Sequence, residues 1–444
     1  MNFDFTNEET LVEQLGEPRV TSPILREPNI DPEKDFTDDT ARVLVNVNPD
    51  MIQARIQQGK TPLSFEMAGP RKKIFFDASK VRCALVTCGG LCPGLNDIIR
   101  AIVLELYYRY GVKSIHGIRY GLEGFIPDCG HEVVDLTPEL VANIHNTGGS
   151  MLGSSRGPQD ISQIVDSLER MHVGILFMIG GDGTLMAATK IAEEIGRRSL
   201  KISVVGIPKT IDNDIHLISR SFGFDTAVDI ATEAIKGAHN EAEGYPNGIG
   251  LIKLMGRHSG FIAATATLAR QDVNFVLIPE IDFDLEGDHG LLAALEQRLK
   301  RRKHAVIVVA EGAGQKFFGD CTNATDASGN IRLNDIGLFL RDRITAHFKS
   351  RGIPISLKYI DPSYMIRSLP ANANDSVFCG FLGRDAVHAA MAGKTRMLVS
   401  HWNNHFVHVP MSLSVGKRKQ VSPHSKLWWT VLEATGQGRF TNSE

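Results

Sequence analysis

At 444 residues the chain exceeds what one hydrophobic core comfortably fills, so two domains are expected. Hydrophobic residues at 43% and charged residues at 22% exclude a disordered chain, and a formal charge of −3 offers nucleic acid no overall attraction, so any anion site must be local. No apolar run approaches the roughly 18 residues that span a bilayer, and the acidic start MNFDFTNEET lacks the basic and apolar regions of a signal peptide, so a cytoplasmic protein without membrane or nucleic-acid partners is expected.

Residues 1 to about 80 are rich in Pro, Asp and Glu, as in REPNIDPEKDFTDDTARV, and lack sustained periodicity. They read as an extension over a core that starts later, a packing arm or subunit contact. From Val81 the pattern becomes one of alternating strands and helices. VRCALVT is a buried strand, CGGLCPG a tight loop, and Leu95, Ile98, Ile99, Ile102, Val103 and Leu106 recur at helical spacing. The unit repeats: VGILFMI is a strand, GGDG a loop, and Leu185, Ala188, Ile191, Ala192 and Ile195 line one helical face. KISVVGI is a third strand. Asp225 is expected to cap a helix whose inner face is Ala227, Ile230, Ala231, Ala234, Ile235 and Ala238. A second series follows, with GIGLIKL, NFVLIP and HAVIVVA as strands and helices over about 290 to 302 and 335 to 349. Another helix is expected around 383 to 392, and LVSHWNNHFVHVPM suggests further β structure. Lys300, Arg301, Arg302 and Lys303 close the first of these helices, where cations suit the helix dipole. The fold class expected is α/β, with two doubly wound Rossmann-like lobes and an N-terminal extension. The six cysteines (Cys83, Cys88, Cys92, Cys129, Cys321, Cys379) include no C-x-x-C pair, which argues for reduced thiols rather than a disulfide framework or zinc ribbon. Asn323 and Asn374 open N-x-S/T triplets that, without secretion, are chance matches.

Open parallel sheets bind ligands beyond the carboxyl ends of their strands, where backbone amides and helix N-termini meet anions. TCGGLCPG places Gly89, Gly90 and Gly94 there, letting N–H groups approach a phosphate, although glycines also serve such turns for conformation alone. GGDGT surrounds one carboxylate with three glycines; Asp182 is placed either to hold Mg2+ against phosphates or to cap the helix, a task open to Thr184 as well. The absence of G-x-x-x-x-G-K-[ST] excludes a P-loop enzyme. GIPKTIDNDI crowds Lys209, Thr210, Asp212, Asn213 and Asp214 at a strand end. Lys209 and Thr210 suit phosphoryl oxygens, while one acid can take the proton from an attacking hydroxyl and the other assist; a turn held by Asx hydrogen bonds is the alternative. A second carboxylate would raise the Asp212 pKa, whereas Mg2+ and Lys209 would lower it, so the sequence leaves its direction open. In LMGRHSG, Arg257 suits a phosphate clamp and His258 a structural role. Glu311 in VVAEGAG suits sugar hydroxyls, and KYIDPSYMIR offers Lys358, Tyr364 and Arg367 as an aromatic-edged anion site.

In this order, CGGLCPGLNDIIR, GGDGT, PKTIDND, KLMGRHSG, AEGAG and KYIDPSYMIRS resemble the phosphofructokinase family, over about Val81 to Gly393. GIGLIKLMGR and KYIDPSYMIRS are similar to the branch containing plant and trypanosomatid ATP-dependent and pyrophosphate-dependent enzymes. The resemblance implies phosphoryl transfer from ATP to the 1-hydroxyl of fructose 6-phosphate, with Mg2+ on the phosphates. It implies Asp212 as general base with Thr210 and Asp214 beside it, Lys209 on phosphoryl oxygens, Arg257 stabilising the transferring group and Asp182 as the metal-linked aspartate. Gly89, Gly90, Arg156 in LGSSRG, Gly181, Asp182, Gly183 and Thr184 match the donor side. Thr210, Asp212, Met255, Gly256, Arg257, Glu311, Tyr364 and Arg367 match sugar-phosphate contacts, and Lys358 stands where a neighbouring subunit of a homodimer or homotetramer supplies a cation. The implied donor lobe is 81–224 completed by about 365–410, the implied sugar-phosphate lobe 225–364 completed by about 411–444, with residues 1–80 as extension and the active site in the cleft between lobes.

One departure from the family pattern is Gly248, which stands where bacterial ATP enzymes carry an arginine seven residues before the methionine of MGR; this puts in doubt any allosteric mechanism that uses that arginine. Within the family, glycine at position 183 goes with ATP and aspartate there with pyrophosphate, whereas lysine at position 209 goes mostly with pyrophosphate. Plant and trypanosomatid ATP enzymes combine both residues as this chain does, so ATP is the expected donor and pyrophosphate the alternative. NAD kinases and diacylglycerol kinases share GGDGT but lack PKTIDND and KYIDPSY. A non-catalytic metabolite-binding subunit would be expected to have lost Asp182, Asp212 or Arg257, all present here.

Overall fold

The runs read as buried strands form two main sheets, one in each of the two units into which the chain divides. The computed structural model describes residues 5–319 and 332–442; Cys321, Asn323 and the first four residues of the acidic start lie outside the described residues. One unit comprises Met1–Thr210, Ile215–Gly223 and Leu369–Lys417, the other Ile211–Asp214, Phe224–Ser368 and Arg418–Glu444.

In the first unit the spatial order of strands is Arg42–Leu44, Ser64–Met67, His405–Pro410, Met397–Trp402, Ser203–Pro208, Ile175–Gly180, Arg82–Thr87, Ser114–Ile118 and Val133–Asp135. The five from Met397–Trp402 to Ser114–Ile118 run parallel, and the flanking strands are antiparallel. Ile175–Gly180 and Ser203–Pro208 are buried at every residue, which is why they read as unbroken apolar runs rather than alternating ones. On one face Ala188, Ile191, Ala192 and Ile195 of the helix Asp182–Arg197 join Ile164, Val165 and Leu168 of the helix Ile161–Arg170 in a single core. Elsewhere in the unit, the helix Ala373–Met391 lies so close to Leu95–Leu104 that a Cβ at Gly383 would press on Ala101. Ala373–Met391 starts some ten residues before the expected 383. Its first turn, capped by Asn372 accepting from the Asp375 amide, buries Asp375 against Arg220 at 3.6 Å, and a buried acid hides the apolar period. The segment LVSHWNNHFVHVPM is the hairpin Met397–Trp402 with His405–Pro410. Of residues 1–80, Arg42–Leu44 and Ser64–Met67 pair into the sheet's edge.

The second unit's sheet is wholly parallel, in the order Phe275–Leu277, His304–Ala310, Gly248–Leu254, Ser356–Ile360. Leu291, Leu292, Leu295 and Leu299 form the buried stripe of Leu291–Arg302, and Ile336, Leu340, Ile344 and Phe348 that of Ile336–Ser350. The basic end of Leu291–Arg302 is stopped by Lys303 in the left-handed region at φ 65°. The helix Phe224–Glu243 begins one residue before Asp225, so Asp225 lies inside its first turn, favourable to the dipole but not the cap that the sequence suggested. Its fully buried face uses Ala227, Ala231, Ile235 and Ala238, while Ile230 and Ala234 are half-buried at its margin. All five cysteines among the described residues are free thiols, and no helix among them is long and apolar enough to cross a membrane.

Candidate functional site

In the first unit, adjacent parallel strands deliver the glycine loops to one edge of the sheet. Arg82–Thr87 runs into Cys88 and Gly89, Ile175–Gly180 into Gly181, and Ser203–Pro208 into Lys209. Gly89 adopts φ +82°, a conformation that favours glycine. Its N–H donates to the Ser155 carbonyl at 3.2 Å and its own carbonyl accepts from Ser154 Oγ at 2.6 Å, which ties the loop carrying the exposed Arg156 beside it. Lys209 is buried; its backbone N–H donates to Gly180 O at 2.9 Å and its Nζ to Gly90 O at 2.5 Å, so it bridges the loops of two other strands. Thr210 accepts a bond from Ser221 Oγ at 2.6 Å.

Gly181 is the N-cap of Asp182–Arg197 and supplies no side chain, so neither Asp182 nor Thr184 performs that task. Thr184 is buried, whereas Gly183 is exposed in the first turn with nothing among the described residues within 4 Å of the place its Cβ would take. A helix N-terminus flanked by glycine is a ready anion site, because its first N–H groups have no partner within the helix. Asp182 Oδ1 accepts from the Gly416 N–H at 3.1 Å, which orients a half-exposed carboxylate. That hard oxygen donor fits Mg2+, which keeps several of its waters and needs few protein ligands.

In the second unit Asp212 is half-buried as a residue but its carboxylate Oδ1 is fully buried, and the backbone N–H of Arg257 donates to that carboxylate. Burial first, then the charges of Asp214 and Glu311, push its pKa far above the carboxylate range; the Arg257 N–H and guanidinium oppose this without reversing it. The direction that the sequence left open is therefore upward in the protein without ligands. Its backbone carbonyl accepts from Ser259 Oγ at 3.1 Å. Gly256 lies at φ +128° and a Cβ there would overlap the Ser259 carbonyl, so this turn of the MGR loop requires glycine. Met255 and Arg257 are half-buried on either side of it. Glu311 follows the strand His304–Ala310, and burial raises its pKa against the opposing charges of Arg257, Lys253 and Arg367. Arg367 packs at 5.0 Å over the ring of Tyr364, which is 75% exposed. Arg257 thus lies close enough to act on both Asp212 and Glu311, Glu311 on Asp212, and Arg367 on Glu311. Lys358 is not part of that group: it sits in the middle of Ser356–Ile360 and its ammonium packs over Tyr245 at 5.1 Å. His258 is half-buried, and burial lowers its pKa.

Three residues that sequence reasoning passed over support these loops. Arg418 meets Asp214 Oδ2 at 3.1 Å. Lys419 donates from Nζ to Asn213 Oδ1 at 2.9 Å and from its backbone to Asp214 O at 2.7 Å, and burial lowers its pKa to about 7 although Asp214 counters. Lys253 bridges Asp335 at 2.8 Å and Asp361 at 2.9 Å, anchoring the start of the segment that holds Tyr364 and Arg367. The run GKRK was the available signal for the first two, eclipsed by the denser basic run at 300–303.

The raised Asp212 pKa carries a pH prediction. A base acts only when deprotonated, so kcat/KM, which reports the free enzyme, should fall on the acid side with an apparent pKa above the ordinary carboxylate value of about 3.9. Rates measured from pH 5 to 9 with substrate well below KM test this; a profile flat down to pH 5 would refute the raised pKa.

The profile of the family described as Phosphofructokinase matches residues 82–390. The chain is 53% identical over 378 residues to an ATP-dependent 6-phosphofructokinase of Borreliella burgdorferi, covering 84% of this chain and 85% of that one. It is 48% identical over 435 residues to an ATP-dependent 6-phosphofructokinase of Amycolatopsis methanolica, covering 96% and 94%. In fold it is similar to the crystal structure of a pyrophosphate-dependent phosphofructokinase from Marinobacter aquaeolei, with TM-score 0.66 and 20% identity over 81% of this chain and 92% of that one.

Proposed function

This chain belongs to the phosphofructokinase family, and from that premise we propose that it is an ATP-dependent 6-phosphofructokinase converting fructose 6-phosphate to fructose 1,6-bisphosphate. The observation that carries the phosphoryl-transfer reading is Asp212, whose carboxylate is held by the Arg257 N–H and given a raised proton affinity first by burial and then by Asp214 and Glu311. Such a group is a base matched to the working pH, able to accept the proton of the sugar's 1-hydroxyl as that oxygen attacks the terminal phosphorus. Arg257 stabilises charge on the transferring phosphoryl group, and Arg367, Tyr364, Glu311, Met255 and Gly256 hold the sugar phosphate. Gly89, Gly90, Arg156, Gly181, Gly183, Thr184 and Lys209 hold the donor's phosphates. Asp182 would hold Mg2+, which when bound neutralises charge on the donor phosphates. ATP as donor is supported by the names of the relatives and by the open space at Gly183, which leaves room for a nucleotide.

Purified protein with Mg2+ and fructose 6-phosphate, given ATP or pyrophosphate, tests the donor by following fructose 1,6-bisphosphate. Turnover with ATP alone is expected. Turnover with pyrophosphate alone would overturn the donor and leave the base and sugar site standing, and no turnover with either would leave a metabolite-binding subunit.

Lys419 is proposed as a positioning residue that sets the Asn213–Asp214 turn. Loss of a charge-assisted bond is worth about 1.5 to 3 kcal/mol, so Lys419→Met should lower kcat by roughly 10-fold or more, with KM for fructose 6-phosphate nearly unchanged and partial rescue by Lys419→Arg. An unchanged kcat would remove it from that role. Lys358, exposed and turned to Tyr245, suits a contribution to a neighbouring subunit of a homodimer or homotetramer; sedimentation at assay concentration should show a species of at least two chains. Free thiols suit the cytoplasm.

A further inference from the structure

The helix Phe224–Glu243 ends at the amino-terminal edge of the second unit's sheet, the edge opposite the strand ends that carry Glu311 and the MGR loop. It comes close there. Gly248 opens the strand that follows, and any Cβ at that position would overlap the Ala242 carbonyl, so glycine lets the helix end settle against the strand. In register, Gly248 pairs with His304, the first residue of His304–Ala310. His239 and Glu243, four residues apart, share one face of the helix's last turn. The result is that His239, Glu243 and His304 converge, with one ligand atom from each lying within 4.8 Å of the other two.

We propose that His239, Glu243 and His304 form a binding site for one transition-metal ion of the zinc class, coordinated by two imidazole nitrogens and a carboxylate oxygen. His239 Nε2 lies 3.5 Å from Glu243 Oε2, and His304 Nε2 lies 4.0 Å from Glu243 Oε1. Both separations exceed the roughly 2.7 to 2.9 Å of a charge-assisted hydrogen bond. The first matches the edge of a tetrahedron around an ion bound at about 2.0 to 2.2 Å, which spans roughly 3.3 to 3.6 Å; the second, measured to the other carboxylate oxygen, is somewhat longer. The two rings stand at 75° with centroids 5.4 Å apart, so neither blocks the other's nitrogen. His304 Nδ1 lies 3.1 Å from the Arg302 carbonyl, and donation to it fixes the tautomer that leaves the Nε2 lone pair facing Glu243. His239 Nδ1 is buried with no hydrogen-bond partner among the described residues, where the polar contact of that ring is the one on its Nε2 side. A cation is further favoured by the carbonyl end of the helix. Glu243 is exposed, which leaves water able to complete the coordination.

Two imidazoles and one carboxylate select zinc, cobalt, nickel or copper over Mg2+, which prefers an all-oxygen octahedron. The site is therefore chemically distinct from the Mg2+ position proposed at Asp182, and it stands independently of the kinase reading. Bound metal would fasten the end of the helix to the edge of the sheet.

The test uses the full chain, freed of metal by a chelator and kept in excess Mg2+. Zn2+ is titrated against a chromophoric competitor, and Co2+ is followed by its visible absorption. One equivalent per chain is expected, with a cobalt band of tetrahedral or five-coordinate intensity. His239→Gln and His304→Gln should each weaken Zn2+ binding by roughly 100-fold or more, since loss of even an outer-shell partner costs 10- to 100-fold. Glu243→Ala, at an exposed position where misfolding is not expected, should weaken it as well, and Zn2+ should raise the melting temperature of the wild type but not of this variant. No zinc equivalent in the wild type, or an affinity unchanged in all three variants, overturns the proposal; the second result would assign the ion to another group such as the exposed thiol of Cys129.

Discussion

Replacing Asp212 with asparagine lowers kcat by roughly 10²- to 10⁴-fold, the range for loss of a general base, while the KM for fructose 6-phosphate changes far less. Asparagine keeps the shape and the bond from the Arg257 N–H, so what is lost is the ability to take a proton. The same change should not destabilise the fold. A carboxyl group whose pKa is raised on folding binds its proton more tightly in the folded state, so stability is full below the unfolded value of about 3.9 and is lost as pH rises towards the folded value. An amide never ionises and escapes that loss. The variant should therefore melt no lower than the wild type at pH 8, and the gap should narrow as pH falls to 5. Near-normal turnover by a folded Asp212→Asn protein would remove Asp212 from the role of base, and a lower melting point at pH 8 would contradict its raised proton affinity.

Gly183→Asp is expected to reduce turnover with ATP by roughly 10²- to 10³-fold. At an effective dielectric of 20, two unit charges about 4 Å apart repel by about 4 kcal/mol, and a new carboxylate in the first turn of Asp182–Arg197 would face the donor's phosphates. The fold has no objection to it. Nothing among the described residues lies within 4 Å of the Cβ position, the residue is exposed, and an acidic side chain in a helix's first turn is favourable by about 0.3 to 1 kcal/mol. Melting should be unchanged or slightly raised, and Gly183→Ala should retain most ATP turnover because a methyl adds neither charge nor reach. Unchanged ATP kinetics in a folded Gly183→Asp protein would place the nucleotide elsewhere. If pyrophosphate turnover appears as ATP turnover disappears, position 183 selects the donor.

The candidate site was largely legible because each piece is a short contiguous loop at a strand end. GGDGT, PKTIDND and MGR each announce a turn, a charge and a helix start within a few residues, and the strands before them are apolar runs bounded by glycine or proline. Arg418 and Lys419 are not legible in the sequence because their partners Asp214 and Asn213 lie about two hundred positions earlier in the chain. The helix Ala373–Met391 starts ten residues before its apolar pattern becomes visible because its first turn buries Asp375, and a buried charge looks exposed to any pattern based on hydropathy.

His239, Glu243 and His304 carry no motif, since two lie on a helix and the third opens a strand sixty positions later. Their convergence depends on Gly248, which the sequence presented only as an arginine missing from a family pattern and which the structure explains as the contact that seats the helix end.

By itself, the sequence determined the α/β class, the family and the chemical identity of the loops, because local periodicity and short-range residue order encode strands, helices and turns. Tertiary structure alone decided the direction of the Asp212 pKa, the open space at Gly183, the support from Lys419 and the meeting of two histidines with Glu243. Those four depend on burial and on distances between residues remote in sequence, and neither quantity exists until the chain has folded.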